Sequence, residues 1–125
     1  MPKNAERLAT VLFLDDDPQL LKLYQWIIGR GPFTVIPVLV GGEVWIMPEE
    51  HPDVVALDYR LKGSRTAVDF AKQLNSQYPD TPILILSELE WLPEDIAPYT
   101  AAFVNKGEPE RLIDTLIKLA GRRRS

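Results

Sequence analysis

Short, fully apolar runs alternate along this chain with stretches whose apolar residues recur at helical spacing, and that alternation predicts the architecture. Thr10-Val11-Leu12-Phe13-Leu14 reads as a strand and stops abruptly at Asp15-Asp16-Asp17-Pro18. Pro18 suits the first turn of a helix, with Asp17 as its N-cap. Leu20, Leu21, Tyr24, Ile27 and Ile28 carry that helix until Gly29 and Gly31-Pro32 end it. Phe33 to Val40 predicts a second strand. Pro37 places it at a sheet edge, because proline cannot donate to a ladder. Glu43-Val44-Trp45-Ile46-Met47 reads as a short helix cut by Pro48.

Val54-Val55-Ala56-Leu57 and Ile83-Leu84-Ile85-Leu86 are apolar without alternation, as expected of strands covered on both faces of a parallel sheet. They run into Asp58 and Ser87. Between them, Thr66-Ala67-Val68-Asp69 carries a capping-box signature, and Val68, Phe70, Ala71 and Leu74 give the following helix its apolar face. Pro93 and Pro98 leave residues 88–100 room for barely one turn of helix. Ala101 to Val104 predicts the last strand, ending at Asn105-Lys106. Glu108-Pro109 then opens a helix with Leu112, Ile113, Leu116, Ile117 and Ala120 on one face and Gly121 at its end. Five strands thus alternate with about five helices, and right-handed crossovers make them one open parallel sheet with helices on both faces.

Composition narrows the function. A chain of 125 residues predicts one domain, residues 1–125 with a core over about 9–121. With 46% hydrophobic and 26% charged residues it belongs to the soluble globular class rather than the disordered one. The net charge of −4 lacks the basic footprint of a nucleic-acid binder, so no direct nucleic-acid contact is expected. Without cysteine there is neither a disulfide framework nor a thiolate metal site. No signal-type leader opens the chain and no run approaches the roughly 20 apolar residues of a span. The expectation is a cytoplasmic protein without membrane attachment, monomeric or weakly dimeric.

In open α/β sheets, ligands bind beyond the carboxyl ends of the strands. There the first strand delivers Asp15 and Asp16, the third Asp58, the fourth Ser87 and the fifth Lys106. Two carboxylates about 4 Å apart repel by roughly 4 kcal/mol at an effective dielectric of 20, which a hard cation such as Mg2+ relieves. Asp58 then suits a nucleophile forming an aspartyl-phosphate. Lys106 would offset charge on the transferring group, and the Ser87 hydroxyl would donate to it.

Leu14-Asp15-Asp16-Asp17-Pro18, Ala56-Leu57-Asp58-Tyr59-Arg60-Leu61, Ile85-Leu86-Ser87 and Phe103-Val104-Asn105-Lys106 resemble, in order, the four signature segments of response-regulator receiver domains. The resemblance covers nearly the whole chain. It implies a flavodoxin-like doubly wound (βα)5 fold of strand order 2-1-3-4-5, here with an irregular or shortened fourth helix. It implies Asp58 as phosphoacceptor and Asp15, Asp16, Asp58 and the backbone carbonyl of Arg60 as Mg2+ ligands. Ser87 matches the switch hydroxyl, Phe103 the switch aromatic and Lys106 the phosphoryl-binding lysine. The implied partners are a sensor histidine kinase or phosphotransfer protein and a downstream protein. The family pattern is departed from at Lys62 and Thr66, where proline and glycine are usual, at Glu88 after the hydroxyl, and at Gly107 in place of the proline after the lysine.

Plainer readings stand beside these. An aspartate run can be a solvated helix start, Ser87 a turn residue, Lys106 a surface lysine and Phe103 a core aromatic. His51 reads as an exposed loop residue. Trp26, Trp45 and Trp91 read as packing residues, with a partner surface as the alternative for Trp91. The arginines at 122–124 suit the negative end of the last helix dipole.

Two signalling functions fit these residues. One is a phosphorylation-driven switch that promotes its own phosphorylation and dephosphorylation without being a turnover enzyme. The other is a degenerate receiver serving as a phosphorylation-independent adaptor. A haloacid-dehalogenase-type phosphatase is disfavoured, since Gln19 stands where its Asp-x-Asp motif continues to Thr or Val.

Overall fold

The computed structural model describes residues 9–40, 51–61 and 66–124. In chain order these form β1 (Ala9–Asp15), α1 (Pro18–Gly29), β2 (Phe33–Leu39), β3 (Val54–Asp58), α2 (Ala67–Gln77), β4 (Ile83–Ser87), β5 (Ala102–Asn105) and α3 (Pro109–Arg124). The strands make one five-stranded sheet of order β2-β1-β3-β4-β5, each neighbouring pair parallel. This is the doubly wound architecture the apolar runs predicted. The short helix expected over Glu43 to Met47, with Trp45 in it, lies outside the described residues, as does Lys62.

Alternation along the central strands divides the core between the two faces of the sheet. Val11, Phe13, Ala56, Leu84 and Leu86 pack with Leu21, Tyr24 and Ile28 of α1 and Leu112, Leu116 and Leu119 of α3. Leu12, Leu14, Val55, Leu57 and Ile85 pack with Phe70, Ala71 and Leu74 of α2 and with Ile96. Burial on both sides is why β3 and β4 read as unbroken apolar runs. Pro37 lies in the outermost strand, β2, as its missing donor required.

The predicted N-caps of α1 and α2 both hold. The Asp17 side chain accepts from Gln19 N at 2.9 Å, with Pro18 opening α1. At α2, Thr66 Oγ1 accepts from Asp69 N at 3.3 Å while Asp69 Oδ2 accepts from Thr66 N at 2.9 Å, a complete capping box.

Two expectations need correction. α3 does not stop at Gly121 but continues to Arg124. A helical glycine costs about 1 kcal/mol against alanine, and burial of Leu116, Leu119 and Ala120 in the preceding turn offsets it. Residues 88–100, by contrast, behave as expected, with no α-helix and barely one turn of 3-10 helix at Ala97–Tyr99, since Pro93 and Pro98 interrupt any longer ladder. Trp26 and Trp91 are not packing residues: they are 62% and 66% exposed, and the Arg30 guanidinium lies 4.9 Å over the Trp26 ring.

Candidate functional site

β1 and β3 are hydrogen-bonded neighbours with Leu14 opposite Leu57, so their next residues, Asp15 and Asp58, emerge side by side at the carboxyl edge. Both are buried, at 0% and 2% exposure. Asp16 joins them, and one carboxylate oxygen from each of the three lies within 4.8 Å of the others. Sheet register brings the remaining groups nearby. Asp58 is opposite Leu86, one residue before the buried Ser87, and Ser87 is opposite Asn105, one residue before Lys106.

The polar contacts are specific. Lys106 Nζ donates to Asp58 Oδ2 at 3.0 Å, forming a nearly buried ion pair. Asp58 Oδ1 accepts from the backbone N–H of Arg60 at 3.1 Å, and Arg60 itself is exposed. Asp15 Oδ1 accepts from Asp17 N at 3.1 Å, but the buried Asp15 Oδ2 has no hydrogen-bond partner among the described residues. Ser87 Oγ accepts from Leu89 N at 3.0 Å. Phe103 is half-buried against the Ile85–Ile96 side of the core.

Crowding shows in the acidities. Burial, then the neighbouring Asp58 charge, pushes Asp15 from an ordinary 3.8 up to about 7. Burial also raises Asp58, against the opposing pull of Lys106. For Lys106, burial works against the charged form, yet the hydrogen bond and charge of Asp58 outweigh it and hold the ammonium above its ordinary value. Among the described residues, Lys106 is the ammonium paired with Asp58 in this cluster, and the buried Asp15 Oδ2 has no hydrogen-bond partner. An all-oxygen donor set with surplus negative charge fits a hard divalent cation.

Three participants escaped the sequence reading. The Tyr24 hydroxyl, on a residue read only as part of the apolar face of α1, donates to the Lys106 carbonyl at 3.2 Å. Tyr59 OH donates to Asp95, at 3.0 and 3.2 Å from its two oxygens, joining the end of β3 to the irregular segment. The Asn105 amide bridges the β4 and β5 loops. Only Asn105 had a local signal, an Asn two residues before a glycine, which favours a side-chain-to-backbone turn. His51, expected in an exposed loop, is exposed, with its ring 5.1 Å from that of Tyr78.

No protein-family model matches the chain. A curated relative, response regulator GtcR of Aneurinibacillus migulanus, is 26% identical over 78 residues, 62% of this chain, and the match spans 32% of that relative. Among solved structures, chemotaxis response regulator CheY4 of Vibrio cholerae superposes with a TM-score of 0.73 at 22% identity, covering 89% of this chain and 98% of that one. Response regulator TrrA of Thermotoga maritima, solved in complex with Mg2+-BeF, gives 0.71 at 18% identity over 88% of this chain and 97% of its own. The fold is that of response-regulator receiver domains. Among the described residues, no helix is long and apolar enough to cross a membrane.

Proposed function

We propose that this receiver-fold chain is a single phosphoacceptor domain that takes a phosphoryl group from a histidine kinase or phosphotransfer protein onto Asp58. The observation that carries this reading is the 3.0 Å contact between Lys106 Nζ and Asp58 Oδ2 inside a three-carboxylate cluster. A lysine so placed offsets charge where a phosphoryl group would arrive.

In the transfer, an Asp58 carboxylate oxygen forms the new bond to phosphorus while the bond from phosphorus to the donor nitrogen breaks, the electron pair leaving with that nitrogen. The Arg60 N–H on Asp58 Oδ1 orients the carboxylate so that Oδ2 and the ammonium face the same space. Lys106 then exchanges part of its contact with Asp58 for the phosphoryl oxygens. Asp15, Asp16 and Asp58, with the Arg60 carbonyl, would hold Mg2+, which supplies charge neutralisation to those oxygens. TrrA, a protein of the same fold, binds Mg2+ with a beryllium fluoride group, which supports this cation. Ser87 follows as the hydroxyl donor to the phosphoryl group and Phe103 as the aromatic that moves with it, passing the change to a downstream protein. The chain does not turn over a substrate; it is the acceptor.

Incubation with Mg2+ and acetyl phosphate, read by intact mass, tests the proposal. One phosphoryl adduct is expected, lost in Asp58→Asn. A wild-type chain that never gains the adduct would overturn it. That outcome would support the phosphorylation-independent adaptor, the reading to which the irregular 88–100 segment lends some weight.

A further inference from the structure

Asn105 is the last residue of β5, and its side chain reaches two loops at once. Its Nδ2 donates to the carbonyls of Glu88 and Leu89 at 3.4 and 3.2 Å, while its Oδ1 accepts from Gly107 N at 2.9 Å. The partners dictate the orientation of the amide. An N–H requires the oxygen and two carbonyls require the NH2, so the flipped arrangement would set like against like.

The two loops held this way carry the two groups that act on a phosphoryl. The Leu89 N–H, in the tied turn, is the donor to Ser87 Oγ at 3.0 Å. On the other side, Lys106 lies between Asn105 and Gly107, with its own N–H on the Ser87 carbonyl at 2.9 Å. Gly107 leaves this loop little intrinsic stiffness. A Cβ there would sit 3.3 Å from Asn105 Oδ1, so the glycine admits the amide and the amide in turn restrains the glycine.

We propose that Asn105 is a positioning residue that couples the Ser87 turn to the Lys106 loop, so that hydroxyl and ammonium meet an incoming phosphoryl group as one preset pair. Asn105 does not itself touch the acidic cluster. Its role with a phosphoryl group rests on the Asp58 reading, but the tie between the loops does not. The proposed metal ligands lie at and just beyond the ends of β1 and β3, outside the tie, so they are predicted to be insensitive to it.

The test compares wild type with Asn105→Ala and Asn105→Asp. Titration of Mg2+ alone is expected to give the same affinity for wild type and Asn105→Ala. Titration of beryllofluoride in saturating Mg2+, followed by fluorine NMR, is expected to weaken about tenfold in Asn105→Ala, the scale of a modest loss of preorganisation. Equal weakening of Mg2+ and beryllofluoride, or of neither, would overturn the assignment. Amide hydrogen exchange on the unmodified protein decides the tie independently. Leu89 exchange should rise in both variants, whereas Gly107 should rise only in Asn105→Ala, because aspartate keeps the accepting oxygen. Unchanged Leu89 exchange would remove the tie. Wild type that binds Mg2+ but never beryllofluoride would instead sink the Asp58 reading, leaving the exchange result to judge Asn105.

Discussion

At the β1–β3 half of the sheet edge, Asp15 and Asp58 continue paired central strands and are buried to 0% and 2% exposure. At the β4–β5 half, Ser87 and Lys106 also stand at strand ends, but Ser87 leads into an irregular segment in which Glu88, Glu90, Trp91, Glu94 and Asp95 are exposed. The first half is held by ladder pairing and apolar burial. The second shares the ladder, β4 pairing with β5, but its irregular 88–100 segment lies outside it and is fastened in part by side-chain bonds: Asn105 to Glu88 and Leu89, Tyr59 to Asp95, and Thr100 Oγ1 to Ile96 O at 2.7 Å. Elements with few buried contacts open at lower free energy than core strands. The contrast suits a domain that must hold its chemistry still while the neighbouring surface changes.

Three substitutions put that contrast at risk. Lys106→Met belongs to both halves, because its ammonium crosses from the β5 loop to Asp58. Its loss is expected to slow adduct formation from acetyl phosphate about 100-fold, the usual scale for removing one electrostatic stabiliser. A rate within about twofold of wild type, by the same mass assay, would show that the pair is structural.

Asp15→Asn probes the rigid half through pH. The folded value near 7 lies above the ordinary 3.8, so the folded chain binds more protons than the unfolded one between those values. Its stability without metal therefore falls as pH rises from about 4 to 7. The amide removes that penalty and is expected to raise stability at pH 8 by on the order of 2 kcal/mol, with little gain near pH 4. If the proposed Mg2+ site holds, the ion competes with those protons, and its stabilisation of wild type should be larger at pH 8 than at pH 5.5 and absent in the variant. Thermal melts across that pH range check both signs.

The smallest effect is expected at Tyr59→Phe. The lost bond to Asp95 is exposed, so global stability should fall by about 0.5–1 kcal/mol at most. Amide exchange should nonetheless rise locally over residues 95–100, whose turn Asp95 anchors. A uniform rise across the sheet would mean that the two halves are not mechanically distinct.

The strands were legible because burial on both faces leaves no polar position to blur them, as in Val54 to Leu57 and Ile83 to Leu86. The acidic cluster was legible because strand ends of a parallel sheet converge, whatever the loops do. The features that escaped were long-range or permissive. Tyr24 looks like any apolar-face residue until its hydroxyl is seen to reach a carbonyl 82 positions away. The Asx turn of Asn105 is local, but its donor bonds to the β4 loop are not. Gly121 misled because a glycine signals a helix end only when the chain turns there, and α3 goes straight on. Trp26 and Trp91 misled because size favours burial only on average.

Pro37 has a consequence for the molecule among its own kind. Along β2 the main chain of even-numbered residues points to β1: Val40 N–H donates to the Asp15 carbonyl at 2.9 Å, and the Pro32 carbonyl accepts from Ala9. The odd positions, Pro37 among them, turn their main chain to the side on which β2 pairs with no strand among the described residues. A foreign strand trying to lengthen the sheet there would meet a ring where it needs an amide, so copies of this chain do not readily zip together along the β2 edge.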